Sequence, residues 1–123
     1  MTGFVGDIEK LTLENSNFRK VIYTAEHSQL VLMSLKSGED IGMETHKEND
    51  QFIRVERGTG KAILEGKGYK LTGGTALVVP AGSEHNIIND GDGEMKLYTI
   101  YSPKHHAGGT IHETKEEALL GEE

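Results

Sequence analysis

An all-β sandwich or barrel is the fold class this sequence predicts, on three observations. Sixteen glycines but only two prolines are scattered through it, as many turns between short strands require. Apolar runs rich in strand formers recur at roughly 8–12-residue intervals with turn signals between them. The 123 residues suit one domain with one core, and no internal repeat or linker divides them.

The elements follow in order. "NFRKVIYTAEH" reads as an additional strand in an N-terminal arm, 1–27, packed outside the barrel or exchanged with a partner chain. "SQLVLMSLK", Ser28 to Lys36, is an apolar strand. "DQFIRVERG" alternates, placing Gln51, Ile53 and Val55 on one face and Phe52, Arg54 and Glu56 on the other. "GKAILEGKGYKL" makes two strands around the turn Glu65-Gly66-Lys67-Gly68, and Pro80 closes the short run "GTALVVP". "HNIIN" and "EMKLYTIYS" are expected to pair, joined by the turn "DGDG" from Asp90 to Gly93. In the tail, 102–123, Thr114 precedes Glu117 by three residues ahead of Ala118, Leu119 and Leu120, a capping-box signal for a short C-terminal helix.

Composition excludes several functions. No cysteine is present, so disulfides, thiolate zinc sites and a cysteine nucleophile are ruled out. Twenty acids against 13 bases give a net charge of −7, which repels phosphate backbones and argues against nucleic-acid binding. No apolar stretch reaches the roughly 20 residues of a membrane span. The N-terminus lacks a signal peptide's basic and apolar regions, so the expected location is the cytoplasm, with no membrane partner. "RGTGKA" is too ordinary for a P-loop, and no cluster of Arg or Lys marks a phosphate pocket.

Histidines carry the chemical signal. His85 shares a face with Ile87 and Asn89 by the two-residue period, so it points into the core. Glu44 and His46 are two apart and point the same way on a strand, while Gln51 lies on the face of Ile53 and Val55. Glu44, His46, Gln51 and His85 therefore converge inside one barrel. Imidazole, carboxylate and amide oxygen together suit a divalent transition metal: iron, manganese, nickel or zinc. His27 reads as surface. His105, His106 and His112 belong to "YSPKHHAGGTIH", which is either a solvated loop or a segment crossing the barrel mouth. In the second case His105 or His106 serves as acid or base, and Tyr101 lines the same cavity.

The stretch from Gly74 to Asn89 resembles the second cupin motif at every defined position: Gly74, Pro80, Gly82, His85 and Asn89. The first cupin motif is matched only in its frame, by Gly38, His46 and Gly58. Glu44 stands where that family usually has a histidine, and Gln51 where it usually has glutamate. The resemblance covers roughly Leu30 to Tyr101 and implies a small single-domain jelly-roll barrel of the cupin type, similar to the mannose-6-phosphate isomerase-like members. It also implies a homodimer and a small polar ligand, a carbonyl or hydroxy acid or a sugar, held at the metal. Isomerase or lyase chemistry is then expected, with Glu44, His106 and Tyr101 as catalytic groups. The alternatives are a non-catalytic binding or sensing cupin and a metal-dependent dioxygenase.

Overall fold

The computed structural model describes residues 2–121; Glu122 and Glu123, the last two of the acidic C-terminus, lie outside them. In chain order the elements are α1 (Ile8–Glu14), β1 (Arg19–Thr24), β2 (Gln29–Leu35), β3 (Glu44–Thr45), β4 (Asp50–Arg57) and β5 (Gly60–Leu64). They continue with β6 (Lys67–Leu71), β7 (Ala76–Val79), β8 (Glu84–Ile88), β9 (Met95–Ser102), β10 (Ile111–His112) and α2 (Lys115–Leu120). Two antiparallel sheets face each other, one ordered β10-β1-β2-β9-β4-β7 and the other β3-β8-β5-β6. No described helix is long and apolar enough to cross a membrane.

Strand register decides where polar and apolar side chains lie. Gln29 pairs with Tyr101 and Tyr101 with Gln51, making one inward-facing rung across β2, β9 and β4. The next rung is Val31, Thr99 and Ile53, followed by Met33, Leu97 and Val55. Successive inward residues are two apart, so each strand carries the same gradient, polar at one end of the barrel and apolar at the other. Leu35, Met95, Ala62, Leu71 and Ile87 help fill the apolar end and are buried. Burial there supplies about 25 cal/mol per Å² of apolar surface and leaves the polar end free for a site.

The β5–β6 turn forms but is shorter than the four residues read: Glu65 and Gly66, both at positive φ, make it alone, while Lys67 and Gly68 pair with Leu64 and Ile63. A two-residue hairpin of that hand matches strand twist. The C-terminal helix also forms. Thr114 caps it by accepting from Glu117 N, while Glu117 Oε1 accepts from Glu113 N, one residue before the position a capping box uses.

Two expectations are corrected. β8 and β9 do not pair: β8 lies between β3 and β5, and β9 lies between β2 and β4 in the opposite sheet. Both strands turn apolar residues inward, so they meet face to face across the core, and "DGDG" carries the chain between sheets. Asn89 holds that crossing, donating to Leu35 O and Gly93 O while accepting from Gly91 N. Asn89→Ala should orphan three buried or part-buried backbone groups and cost about 2–3 kcal/mol, readable as a lowered urea midpoint. The arm, 1–27, contains a helix as well as a strand. Asp7 caps α1 by accepting from Lys10 N, and the helix packs on the outer face of the six-stranded sheet. There the buried Lys96 ammonium donates to Asn15 O and Ser34 Oγ and pairs with the Glu94 carboxylate at 3.2 Å. β1 itself forms, but it lies within the six-stranded sheet between β10 and β2 and not packed outside the barrel.

Candidate metal centre

Glu44 on β3 sits directly across the ladder from His85 on β8. Cross-strand partners share a face, which brings a carboxylate and an imidazole together although 41 positions separate them in the chain. His46 follows β3, its backbone oxygen accepting from Gly82 N. Gly82 has φ +88, and the turn it makes after Pro80 delivers His85 to the start of β8. One ligand atom from each of Glu44, His46 and His85 lies within 4.8 Å of the other two.

Hydrogen bonding shows what these atoms are available for. His85 Nδ1 lies 3.1 Å from Ser83 O, and a carbonyl oxygen only accepts, so the proton is on Nδ1. His85 Nε2 is left with its lone pair, buried and without a hydrogen-bond partner. His46 Nε2 likewise has none, the nearby Glu44 Oε1 standing 3.4 Å away. Buried polar atoms are almost always satisfied, so two neighbouring orphaned nitrogens beside a carboxylate are the pattern a cation would complete. Gln51 donates through Nε2 to Thr99 Oγ1 at 2.9 Å, leaving Oε1 buried and unpartnered. Two imidazoles and one carboxylate grouped this closely are a donor set that could hold a metal ion.

The cavity beside these donors measures about 370 Å³ and opens between β1 and β3. Glu44, Arg19, His105, His106 and His112 contribute to its wall, and α2 contributes Ala118. Lys115 ties α2 to Asp40, which also accepts from Asn86 Nδ2, so this wall is pinned to the β8 side of the barrel.

The histidine-rich tail runs beside the donors, with His105 exposed and His106 half-buried. Gln29 holds the segment with Oε1 accepting from His105 N and His106 N, and with Nε2 donating to His106 O and Thr24 Oγ1. Asn49 Nδ2 adds a bond to Pro103 O. The His105 ring is 4.3 Å from that of His46 and stacks on Tyr101 at 5.1 Å; the His106 ring meets Tyr101 edge-on at 5.1 Å. His112 reaches the cavity from β10, whereas His27 is exposed.

These surroundings set the protonation states. Burial works to raise the Glu44 carboxyl, but the adjacent His46 imidazole, with Arg19 and His85, outweighs it and the net shift is downward. Glu44 is thus a carboxylate at neutral pH. Burial, then the Glu44 charge, raises the Tyr101 phenol, which stays protonated. Burial, followed by Arg19 and the neighbouring imidazoles, lowers His106 to about 3, and His105 is lowered mainly by burial. His106 is therefore a neutral imidazole with Nε2 buried and unpartnered.

A pH dependence follows. Between the ordinary histidine value near 6.5 and about 3, the unfolded chain binds a proton at position 106 that the folded chain excludes. Stability is expected to fall with pH through that window. His106→Asn should flatten the melting temperature between pH 7 and 4 relative to the parent; an unchanged slope would place the titration elsewhere.

Two residues escape the sequence reading: Arg19, on the cavity wall, and Gln29, buried behind the tail segment it holds. Gln29 shares the inward face of Val31, Met33 and Leu35, and Arg19 shares that of Val21. A polar residue on an otherwise apolar alternating face is the signal that picks out Gln51, and it was present in both strands.

Fold and donor set together define a small β-barrel of the jelly-roll class with a His/Glu group able to hold a metal ion at its polar end. The chain belongs to the cupin family, whose domain model matches residues 31–101. It is 44% identical to protein YrkC of Bacillus subtilis (strain 168), over 98% of this chain and 68% of that protein. It is 50% identical to protein L612 of Acanthamoeba polyphaga mimivirus, over 88% of this chain and 70% of the other. The crystal structure of BH2720 from Bacillus halodurans superposes with a TM-score of 0.96 at 40% identity, covering 98% of this chain and 96% of that one.

Proposed function

We propose that this cupin grips a divalent transition metal through Glu44, His46 and His85, with Gln51 beside them, and binds a small hydroxy or oxo acid or sugar-like molecule there for isomerase or lyase chemistry. One observation carries the reading: Glu44, His46 and His85 each bring a ligand atom within 4.8 Å of the others, and Nε2 of both histidines is buried without a hydrogen-bond partner. A bound divalent ion supplies Lewis acidity, making a C–H next to a carbonyl or hydroxy-acid group easier to ionise. The chain's own groups divide the proton work. His106, neutral and at the cavity wall, offers a hydrogen-bond acceptor; Tyr101, held as a phenol, donates a hydrogen bond; Glu44 keeps its negative charge across neutral pH.

Metal analysis after reconstitution with zinc, manganese, nickel or iron tests the centre, with about one ion per chain expected. Isomerisation or elimination on a panel of hydroxy and oxo acids, abolished by a chelator, tests the chemistry. Sub-stoichiometric metal under every condition would defeat the first, and metal-loaded protein that binds such acids unchanged would make it a binding cupin. The same reading includes a homodimer, motivated by Val5 and Phe4, which stay exposed in an arm anchored on β1 through Tyr23 Oη donating to Thr2 O. Sedimentation at one protomer mass across micromolar concentrations would remove it.

A further inference from the structure

Arg19 is the residue whose position the metal centre leaves unexplained. It is only 4% exposed, yet among the described residues it forms no salt bridge. Its contacts are Nη1 at 3.4 Å from His112 Nδ1 and the guanidinium carbon 5.3 Å from the Phe18 ring centroid. Its Nε is buried without a partner. A guanidinium is always charged, and burying it without an anion is costly unless something else supplies the negative charge. The side chain lines the same cavity as Glu44, on the wall made by β1 and β10.

We infer that Arg19 is the anion anchor of this cavity, receiving a carboxylate of a small hydroxy or oxo acid whose other oxygen is held at the Glu44–His46–His85 centre. The inference rests on the proposed metal-and-ligand reading and adds to it the charge class of the ligand.

Three features favour a carboxylate. His112 occupies Nη1, which leaves the edge made by Nε and Nη2, a planar two-donor fork that matches the two oxygens of a carboxylate. Among the described residues Arg19 is the only Arg or Lys on the cavity wall, sharing it with the Glu44 carboxylate, whereas a phosphate dianion calls for more positive charge. The volume of about 370 Å³ suits a molecule of metabolite size, so one end can meet β1 while the other meets β3. On a protein of net charge −7, one buried guanidinium is also the element that lets an acid bind at all.

The test uses the full chain loaded with zinc, its metal content measured first, and calorimetric titration with malate, 2-oxoglutarate and galacturonate, with inorganic phosphate as comparison. At least one acid should bind the parent. Arg19→Gln should weaken that acid by about tenfold to hundredfold while retaining zinc, the range expected for a lost charged hydrogen-bonded pair. Arg19→Lys, which keeps the charge but not the fork, should fall between. Zinc-loaded parent that binds none of the three acids, or that binds phosphate more tightly than any of them, would overturn the inference. So would either variant that folds, by its melting transition, and binds as the parent does. Failure of the metal reading looks different: the parent itself then holds no zinc, and acid binding that Arg19→Gln still weakens would leave the anchor standing.

Discussion

His85→Ala is expected to lower metal affinity by at least about a hundredfold, and His46→Ala to do nearly the same. Altering groups that merely support a ligand commonly costs ten- to a hundredfold, and these substitutions remove the ligand itself. His85 should be the more damaging because its bond to Ser83 O fixes the tautomer in advance, so its lone pair needs no rearrangement to bind. Glu44→Gln keeps an oxygen but removes the charge, and should weaken binding less than either alanine variant. Titrating zinc or manganese against a competing chelator reads all three, and melting curves show that the barrel persists. Retention of parental affinity by either histidine variant would remove that residue from the centre. Acid should act in the same direction, because a protonated imidazole has no lone pair to give, so affinity should weaken as pH falls. Flat binding from pH 8 to 5 would contradict imidazole ligation.

The reach of the sequence reading had a physical limit. Gln51 and His85 were legible because each shares strand parity with apolar neighbours, Gln51 with Ile53 and Val55 and His85 with Ile87, whereas parity tied Glu44 and His46 only to each other. Parity is local, and a short strand states it without help from the rest of the chain. Pairing is not local. "HNIIN" and "EMKLYTIYS" look like two arms of a hairpin, since the turn chemistry of "DGDG" is genuine, yet Asn89 uses that turn to change sheets. Nothing in either strand declares which sheet it will join. Helix α1 was missed for a related reason. "IEKLTLE" alternates nearly as well as it repeats at helical spacing, and the face it buries exists only after β2, β4 and β9 have assembled beneath it. Arg19 needed both kinds of information: parity shows that it faces inward, but only β10 and α2, brought from the far end of the chain, turn that position into a cavity wall.

Gly60→Ala is expected to destabilise the domain by about 3 kcal/mol, roughly a 10 °C fall in melting temperature for a chain of this size. A Cβ at Gly60 would stand 2.1 Å from Met95 Cε and 2.3 Å from Ile88 O. The methionine end can swing aside, since its torsions are soft. Ile88 O cannot: it belongs to β8, whose pairing with β5 matches Lys61 to Ile88. The added methyl must therefore push β5 and β8 apart at one rung, or push β5 off β6, where Gly60 itself pairs with Leu71. Either shift opens the apolar end of the barrel around Met95 and Leu71. Gly93→Ala is the control, because a Cβ there meets nothing within 4 Å and φ is not in the left-handed region, so its effect should stay within about 0.5 kcal/mol. The His85 end of β8 lies at the opposite end of the same ladder, where Leu64 pairs with His85. If the two ends act independently, folded Gly60→Ala protein keeps parental metal affinity while melting earlier. A variant that melts like the parent would mean that β5 and β8 run farther apart than this register allows. One that loses metal while folded would mean that strand spacing at the apolar end sets the distance between Glu44 and His85.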